Sequence, residues 1–277
     1  MAGKKKDTSL LHHLIGSRSL VWNLAKNDIK KKFAGSYFGV VWAFVQPVIT
    51  VLLYWFVFEK GLNSKATDLR TGIEIPFVLW LTAGLVPWFY FQEALNGGTG
   101  VLVEYSYLVK KVVFQIDMLP VVKMISALFT HLFFVAFTIV LFICMGYMPD
   151  WYALQVIYYS FCMILFATGL VYATSGVTVF FRDMKEVVGI LLQIGMWVTP
   201  IMWNFETMVQ IPGWAIAVLK LNPMYYIVSG YRNALINHIG FWEDMGLTVY
   251  FWVVTAVLLF LGTTVFKKLR PHFADVL

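Results

Sequence analysis

Charge is what this chain has least of. Asp, Glu, Lys and Arg make up 13% of its 277 residues against 60% hydrophobic, and the mean hydropathy is +0.75. A soluble domain carries about 25% charged and about 45–50% apolar residues, so the composition is that of an integral membrane protein. Cysteine is nearly absent: Cys144 and Cys162 sit inside apolar runs, without metal-ligand or redox spacing, and read as free thiols. No HExxH helix, GxSxG elbow or Cys/His cluster is present, which removes the familiar metal and nucleophile chemistries. There is no GxxxxGK[ST] phosphate cradle either, so any ATP that powers this protein must bind another subunit. Within the apolar runs His131 is the one titratable residue well inside, whereas an intramembrane enzyme or proton-coupled carrier needs paired ionisable groups at that depth. A lone histidine there is more often hydrogen-bonded to a neighbouring helix than catalytic. The net charge of +6 does not imply nucleic acid, because the basic residues flank the apolar runs. Lys4–Lys6 are followed by no apolar signal core, so the N-terminus is expected in the cytoplasm.

What is present organises itself around Leu24–Pro47, a basic stretch followed by an apolar one. From Ser19 to Phe33, Leu20, Val21, Leu24, Ala25, Ile29 and Phe33 fall on one side of a helix and the lysines largely on the other, as in a helix lying in the membrane interface. An ordinary juxtamembrane basic segment fits these charges as well. Gly35–Gly39 then turns the chain into a first span at about 39–58, twenty residues or about 30 Å. Further spans are expected at about 75–95, stopped by Asn96-Gly97-Gly98, and at about 124–147, 152–180, 187–203 and 245–266. Residues 97–123 are too polar to span; Val101, Tyr105, Leu108 and Val112 make a helical stripe in them, predicting an amphipathic helix outside the bilayer. The stretch 205–240 is apolar but holds Pro212-Gly213, Lys220, Asn222-Pro223 and Arg232, and reads as two short helices that dip into the membrane and return. With six spans and both termini inside, sixteen of the twenty-one Lys and Arg fall on inner segments, a strong positive-inside bias. The expected organisation is all-α: a cytoplasmic N-terminal segment 1–38 with its interface helix, one transmembrane domain 39–266, and a cytoplasmic tail 267–277.

Aromatics are 18% of the chain, and interfacial belts or helix packing account for many of them. Several lie mid-span or at a mouth, namely Tyr37, Phe38, Trp42, Phe44, Trp197 and Trp203, and a ladder of such faces can guide a glycan along its C–H surfaces. Glu93, near the inner end of the second span, faces either the cytoplasmic mouth or the headgroups.

Four groups of residues then resemble one family. They are Asn27-Asp28-Ile29-Lys30 with Ser36, Gly39, Trp42 and Pro47; Leu108–Phe114 with Leu119-Pro120; Phe181-Arg182-Asp183 with Thr199-Pro200-Ile201; and Asn222-Pro223-Met224 with Tyr231-Arg232. In that order they are similar to the membrane subunits of ABC transporters that export bacterial surface polysaccharides, although Phe38 replaces a usual leucine and Gln115 a usual proline. The resemblance implies a homodimer of six-span subunits in the bacterial cytoplasmic membrane, docked on two ATP-binding cassette ATPase subunits that hold ATP and Mg; no cofactor is expected in this chain. It implies a coupling helix at about 101–112, with Val101, Tyr105, Leu108, Lys110, Lys111 and Val112, joined in ATPase coupling by Arg182 and Asp183. That pair either locks the fourth span to the fifth, touches the partner, or forms a simple ion pair. It implies substrate access past Lys26, Lys30, Lys31, Lys32, Tyr37 and Phe38, a conduit lined by Trp42, Phe44, Gln46, Trp197 and Trp203, and an outer gate at Asn222, Pro223 and Arg232. The cargo it implies is lipid-linked polysaccharide, with wall teichoic acid expected and O-antigen or capsule as the alternative. A small-lipid exporter of the same superfamily and a membrane-embedded envelope-synthesis enzyme are the competing classes.

Overall fold

The computed structural model describes residues 18–32, 34–110, 115–203 and 212–277, and these are almost wholly helical. The first helix, α1, is Arg18–Lys32. The chain then turns through Gly35 (φ 85°) and Gly39 (φ 53°) and a 3-10 turn, Gly39–Val41, into α2, Trp42–Trp55, which a π turn extends over Phe56–Gly61. Positive φ is costly for residues with a Cβ, which is why two glycines bracket this change of direction. A minimal antiparallel hairpin follows, β1 Ala66–Thr67 against β2 Glu74–Ile75. Next come α3 Phe77–Thr99, two short helices α4 Val101–Glu104 and α5 Ser106–Val109, and α6 Met118–Cys144. A 3-10 turn, Trp151–Leu154, leads into α7 Gln155–Phe180, which is followed by α8 Met184–Val198. Beyond it are α9 Gly213–Lys220 and α10 Pro223–Arg232, the latter continued by a π turn over Asn233–Asn237. The chain closes with α11 Met245–Leu269 and α12 Phe273–Val276.

Among the described residues four stretches are long and apolar enough to cross a membrane: Trp42–Gly61, Met118–Cys144, Trp151–Phe180 and Met245–Val276. The other two expected spans fall on α3 and α8. Helix α3 has the length, 23 residues, but carries Gln92, Glu93 and Asn96. Helix α8 has 15 residues, about 22 Å at 1.5 Å each, against a hydrocarbon core of about 30 Å.

Helix α8 runs Met184–Val198 and not over the expected 187–203, and three further boundaries differ from the sequence expectation. Asn96-Gly97-Gly98 does not stop α3, because Gly98 presses against Val171 of α7 and Thr99 bonds Thr174, so packing holds the last turn. Helix α6 starts at Met118 instead of Met124, because Lys123 is paired and its charge ends nothing. The single amphipathic helix expected over 101–112 is broken at Tyr105 into α4 and α5, and Lys111 and Val112 lie outside the described residues.

Helix α3 is the centre: Leu79, Leu81, Ala83, Leu85, Trp88, Tyr90 and Ala94 are buried among α6, α7, α8 and α10. Between helices in lipid, apolar burial supplies no drive, so close approach and hydrogen bonds must hold them together. Helices α7 and α11 meet through Gly169 and Gly262, where a Cβ on Gly262 would sit 2.0 Å from the Gly169 carbonyl oxygen. Of the α7 span 50% is buried within the chain, of the α2 span 6%. The tail is not free: Phe273 is fully buried beside Phe266 and Phe180, and Arg270 donates to Asp117 at 2.6 Å.

Candidate functional site

A cleft of about 830 Å³ opens between α1, α2, α3, α6 and α8. At the end where α2, α6 and α8 begin and α3 finishes, its lining is ionic: Asp28, Lys31, Lys32, Glu93, Glu104, Lys123 and Lys185. Further along these helices it becomes uncharged and polar with Gln46, Thr50, Ser126 and Thr130, beside apolar Tyr54, Phe89 and Met196.

The ionic mouth is built around Asp28. Val21, Ala25 and Asp28 recur at helical spacing and are the buried residues of α1, packed on Met118 and Val122 of α6. The buried Asp28 carboxylate accepts from Lys123 at 2.6 Å and from the Tyr105 hydroxyl at 2.7 Å. Lys123 also reaches Glu104 at 2.8 Å. Burial, and the carboxylate it bonds, raise the Tyr105 hydroxyl above the ordinary phenol range. The Lys31 ammonium stands 5.1 Å from the Tyr105 ring and 5.7 Å from that of Tyr107, within cation–π reach. Lys32 pairs with Glu93 at 2.6 Å, which places Glu93 at the mouth and not simply among headgroups. The break at Tyr105 thus sits on a hub that joins α1, α4, α5 and α6. Two cleft lysines, Lys31 and Lys185, have no carboxylate at ion-pair distance among the described residues.

The residues named from sequence are distributed unevenly over this geometry. Of the access lysines, Lys31 and Lys32 line the cleft, while Lys26 lies over Trp22 and Lys30 faces outward. Tyr37 and Phe38 are exposed and continue edge-to-face to Trp42. Trp42 and Gln46 line the cleft, but Phe44 packs on Phe133 of α6 and Trp197 is exposed. Trp203 donates to the Trp197 carbonyl instead of lining this cleft. In the expected coupling stripe Val101 and Tyr105 are buried in the chain's own core and Leu108 packs against it, leaving Tyr107 and Lys110 exposed. Arg182 and Asp183 are exposed and form no ion pair among the described residues, so they do not tie α7 to α8. Asp28, Glu104, Lys123 and Lys185 were not picked out as site residues. The signal for Asp28 was its place on the apolar stripe of α1.

At the opposite end two of the four sequence motif groups meet. Asn222 caps α10 by accepting from the Met224 amide at 3.0 Å, with Pro223 in the first turn, a strong helix start. Its side chain also donates to Thr199 at 2.8 Å. Arg232, 6% exposed, donates to the carbonyls of Trp80, Pro200 and Ile201 at 3.3, 2.7 and 2.7 Å and stacks on the Trp80 ring at 3.3 Å. A guanidinium with several rigid donors suits such a clamp. Gly84 leaves it room: a Cβ there would sit 2.7 Å from an Arg232 nitrogen. His131 is buried and bonds Ser160 at 3.3 Å and Tyr231 at 3.1 Å, joining α6, α7 and α10. It lines neither this cleft nor the smaller cavity beside Arg232.

Known proteins point the same way. The chain is 25% identical over 266 residues to the O-antigen export system permease protein of Myxococcus xanthus, covering 96% of this chain and 98% of that one. Two Klebsiella pneumoniae proteins of the same name are 21% and 20% identical over 258 residues, covering 92% of this chain and 93% of each. The family pattern described as ABC-2 type transporter matches residues 19–236, which takes in α1, the ionic mouth, the cleft and the Arg232 clamp. This chain therefore belongs to the ABC-2 type transporter family and is a multi-pass membrane permease.

Proposed function

We propose that this chain is the membrane subunit of an ATP-driven exporter that moves a lipid-linked polysaccharide of O-antigen type across the bacterial cytoplasmic membrane. The observation that carries the reading is the graded cleft. Its lysine-bearing mouth suits a phosphate head, its amides and hydroxyls suit sugar, and its apolar walls suit a lipid tail. The three relatives support O-antigen, the alternative of the sequence reading, over wall teichoic acid. The mouth supports it too: of four cleft lysines two are neutralised by carboxylates, a poor lining for a repeating polyanion.

ATP and Mg bind a separate cassette ATPase, which docks on the exposed side of α4–α5 and on Phe181–Asp183. The ionic mouth is cytoplasmic, the Arg232 clamp is at the outer face, and the chain crosses six times. A second copy covers α2 and α8, whose apolar faces are left unsatisfied here. The test is deletion of the gene in its native host. The reading requires lipid-linked glycan to accumulate inside and surface glycan to disappear, with both restored by the wild-type gene. A deletion strain with normal surface glycan overturns it.

A further inference from the structure

A second cavity, about 230 Å³, lies beside the Arg232 clamp and is lined by residues of α10, of the hairpin loop and of the loop after α8. We infer that it is a subsite for one uncharged sugar ring of the exported glycan, an inference that rests on the proposed function.

The wall is purpose-built in one respect. Tyr225, Ser229, Asn233 and Asn237 recur every four residues and all line the cavity, a polar stripe on a helix whose other faces carry Met224, Tyr226, Ile227, Val228, Tyr231 and Ala234 in the core. Polar groups in such surroundings are costly unless hydrogen-bonded. Part of the stripe is satisfied: Asn237 accepts from the Leu69 amide at 3.1 Å and donates to the Asn233 side-chain Oδ1 at 2.8 Å. That leaves the Asn233 amide nitrogen and the Ser229 hydroxyl without a protein partner among the described residues, and both are cavity-lining. The lining also includes Trp203, whose indole is fixed by its 2.9 Å bond to the Trp197 carbonyl.

The chemistry selects the occupant. A metal ion is disfavoured, since Asp244 is the one carboxylate of the lining and the Arg232 cation shares the cavity. A phosphate is disfavoured as well: three Arg232 N–H groups already serve backbone carbonyls, its face is on Trp80, and Asp244 repels an anion. An apolar guest leaves the Asn233 nitrogen and the Ser229 hydroxyl unsatisfied. A pyranose matches amide donors, a hydroxyl that both gives and accepts, and an aromatic face for its C–H side. The volume is that of about seven or eight waters, at about 30 Å³ each, or of one ring.

The experiment is ligand-observed saturation-transfer NMR on the full chain in lipid nanodiscs, with a panel of methyl pyranosides, an open-chain polyol and inorganic phosphate as probes. The expected result is saturable transfer to at least one pyranoside, exceeding polyol and phosphate, and weakened about 2- to 10-fold by Asn233→Ala or by the milder Ser229→Ala. No saturable pyranoside signal, a signal indifferent to both variants, or preferred binding of phosphate overturns the subsite; the first of these means the cavity holds water only. Surface glycan in the deletion strain is read in parallel. Rescue by the wild-type gene together with absent pyranoside binding sinks the subsite alone. Pyranoside binding in a protein whose loss leaves surface glycan normal sinks the export reading alone.

Discussion

Helix α7, and α2 together with its π extension to Gly61, are both apolar and both long enough to cross a bilayer, yet half of one span is buried within the chain and almost none of the other. Helix α7 sits among α3, α6, α10 and α11, with Gly169 against Gly262 and Ser160 bonded to Tyr231. Helix α2 buries Val51 alone, and its neighbour across the cleft, α8, only Val188 and Leu192. In water such exposure would be a defect. In a membrane it is tolerated, because leaving lipid gains an apolar helix little. Within the chain there is thus a closely packed slab and a lightly attached wall, and the cleft lies between the two.

The comparison breaks or sharpens at specific positions. The largest effect belongs to the slab: Arg232→Leu strands three buried carbonyls and is expected to cost about 3–5 kcal/mol, read as loss of a cooperative melting transition in detergent. Next is Asp28→Asn, which leaves Lys123 without its buried partner. It should sharply reduce glycan export while ATP hydrolysis by the assembled complex persists, and the double swap Asp28→Lys with Lys123→Asp should recover part of it. Equal loss of hydrolysis and export would mean that Asp28 only holds the fold. Gly262→Ala should cost about 1–3 kcal/mol by overpacking, whereas Ile49→Ala in α2 or Ile190→Ala in α8 should stay within about 0.5 kcal/mol in the isolated chain and still impair self-association. Destabilisation of the wall variants as severe as that of Gly262→Ala would dissolve the distinction between slab and wall. The smallest effect is at the hairpin tip. Burial opposes charge on Asp68, but the Thr71 hydroxyl and the Arg70 and Thr71 amides outweigh it, so its carboxyl stays below the ordinary value. Its contribution is complete above the ordinary carboxylate range and fades as pH falls through the lowered value, so Asp68→Asn should lose under about 1 kcal/mol at neutral pH and nothing in strong acid.

The helices were legible because hydropathy and length determine them locally. Every expected span has a helix, and Asn222-Pro223 marks the start of α10. Ends were misjudged where a remote partner decides. Lys123 looks like a terminator until Asp28, ninety-five residues earlier in the chain, neutralises it. Gly97-Gly98 looks like a stop until α7 presses on it. The cleft was half legible. Trp42, Gln46, Lys31 and Lys32 follow from position, but Phe44 turned elsewhere because helix rotation is set by neighbours that no local pattern reveals, and Trp203 falls beyond the end of α8. Asp28 was passed over for the same reason: on the face of an interface helix an acid is normally a solvated charge, and only its depth makes it a keystone.

Tyr105 carries one more implication. It lies at the bend between α4 and α5, and its hydroxyl grips the first helix while a lysine of α6 holds the same carboxylate. The bend is thus tied by one carboxylate to two helices. The bend, the first helix and α6 therefore share a single anchor at the mouth of the cleft.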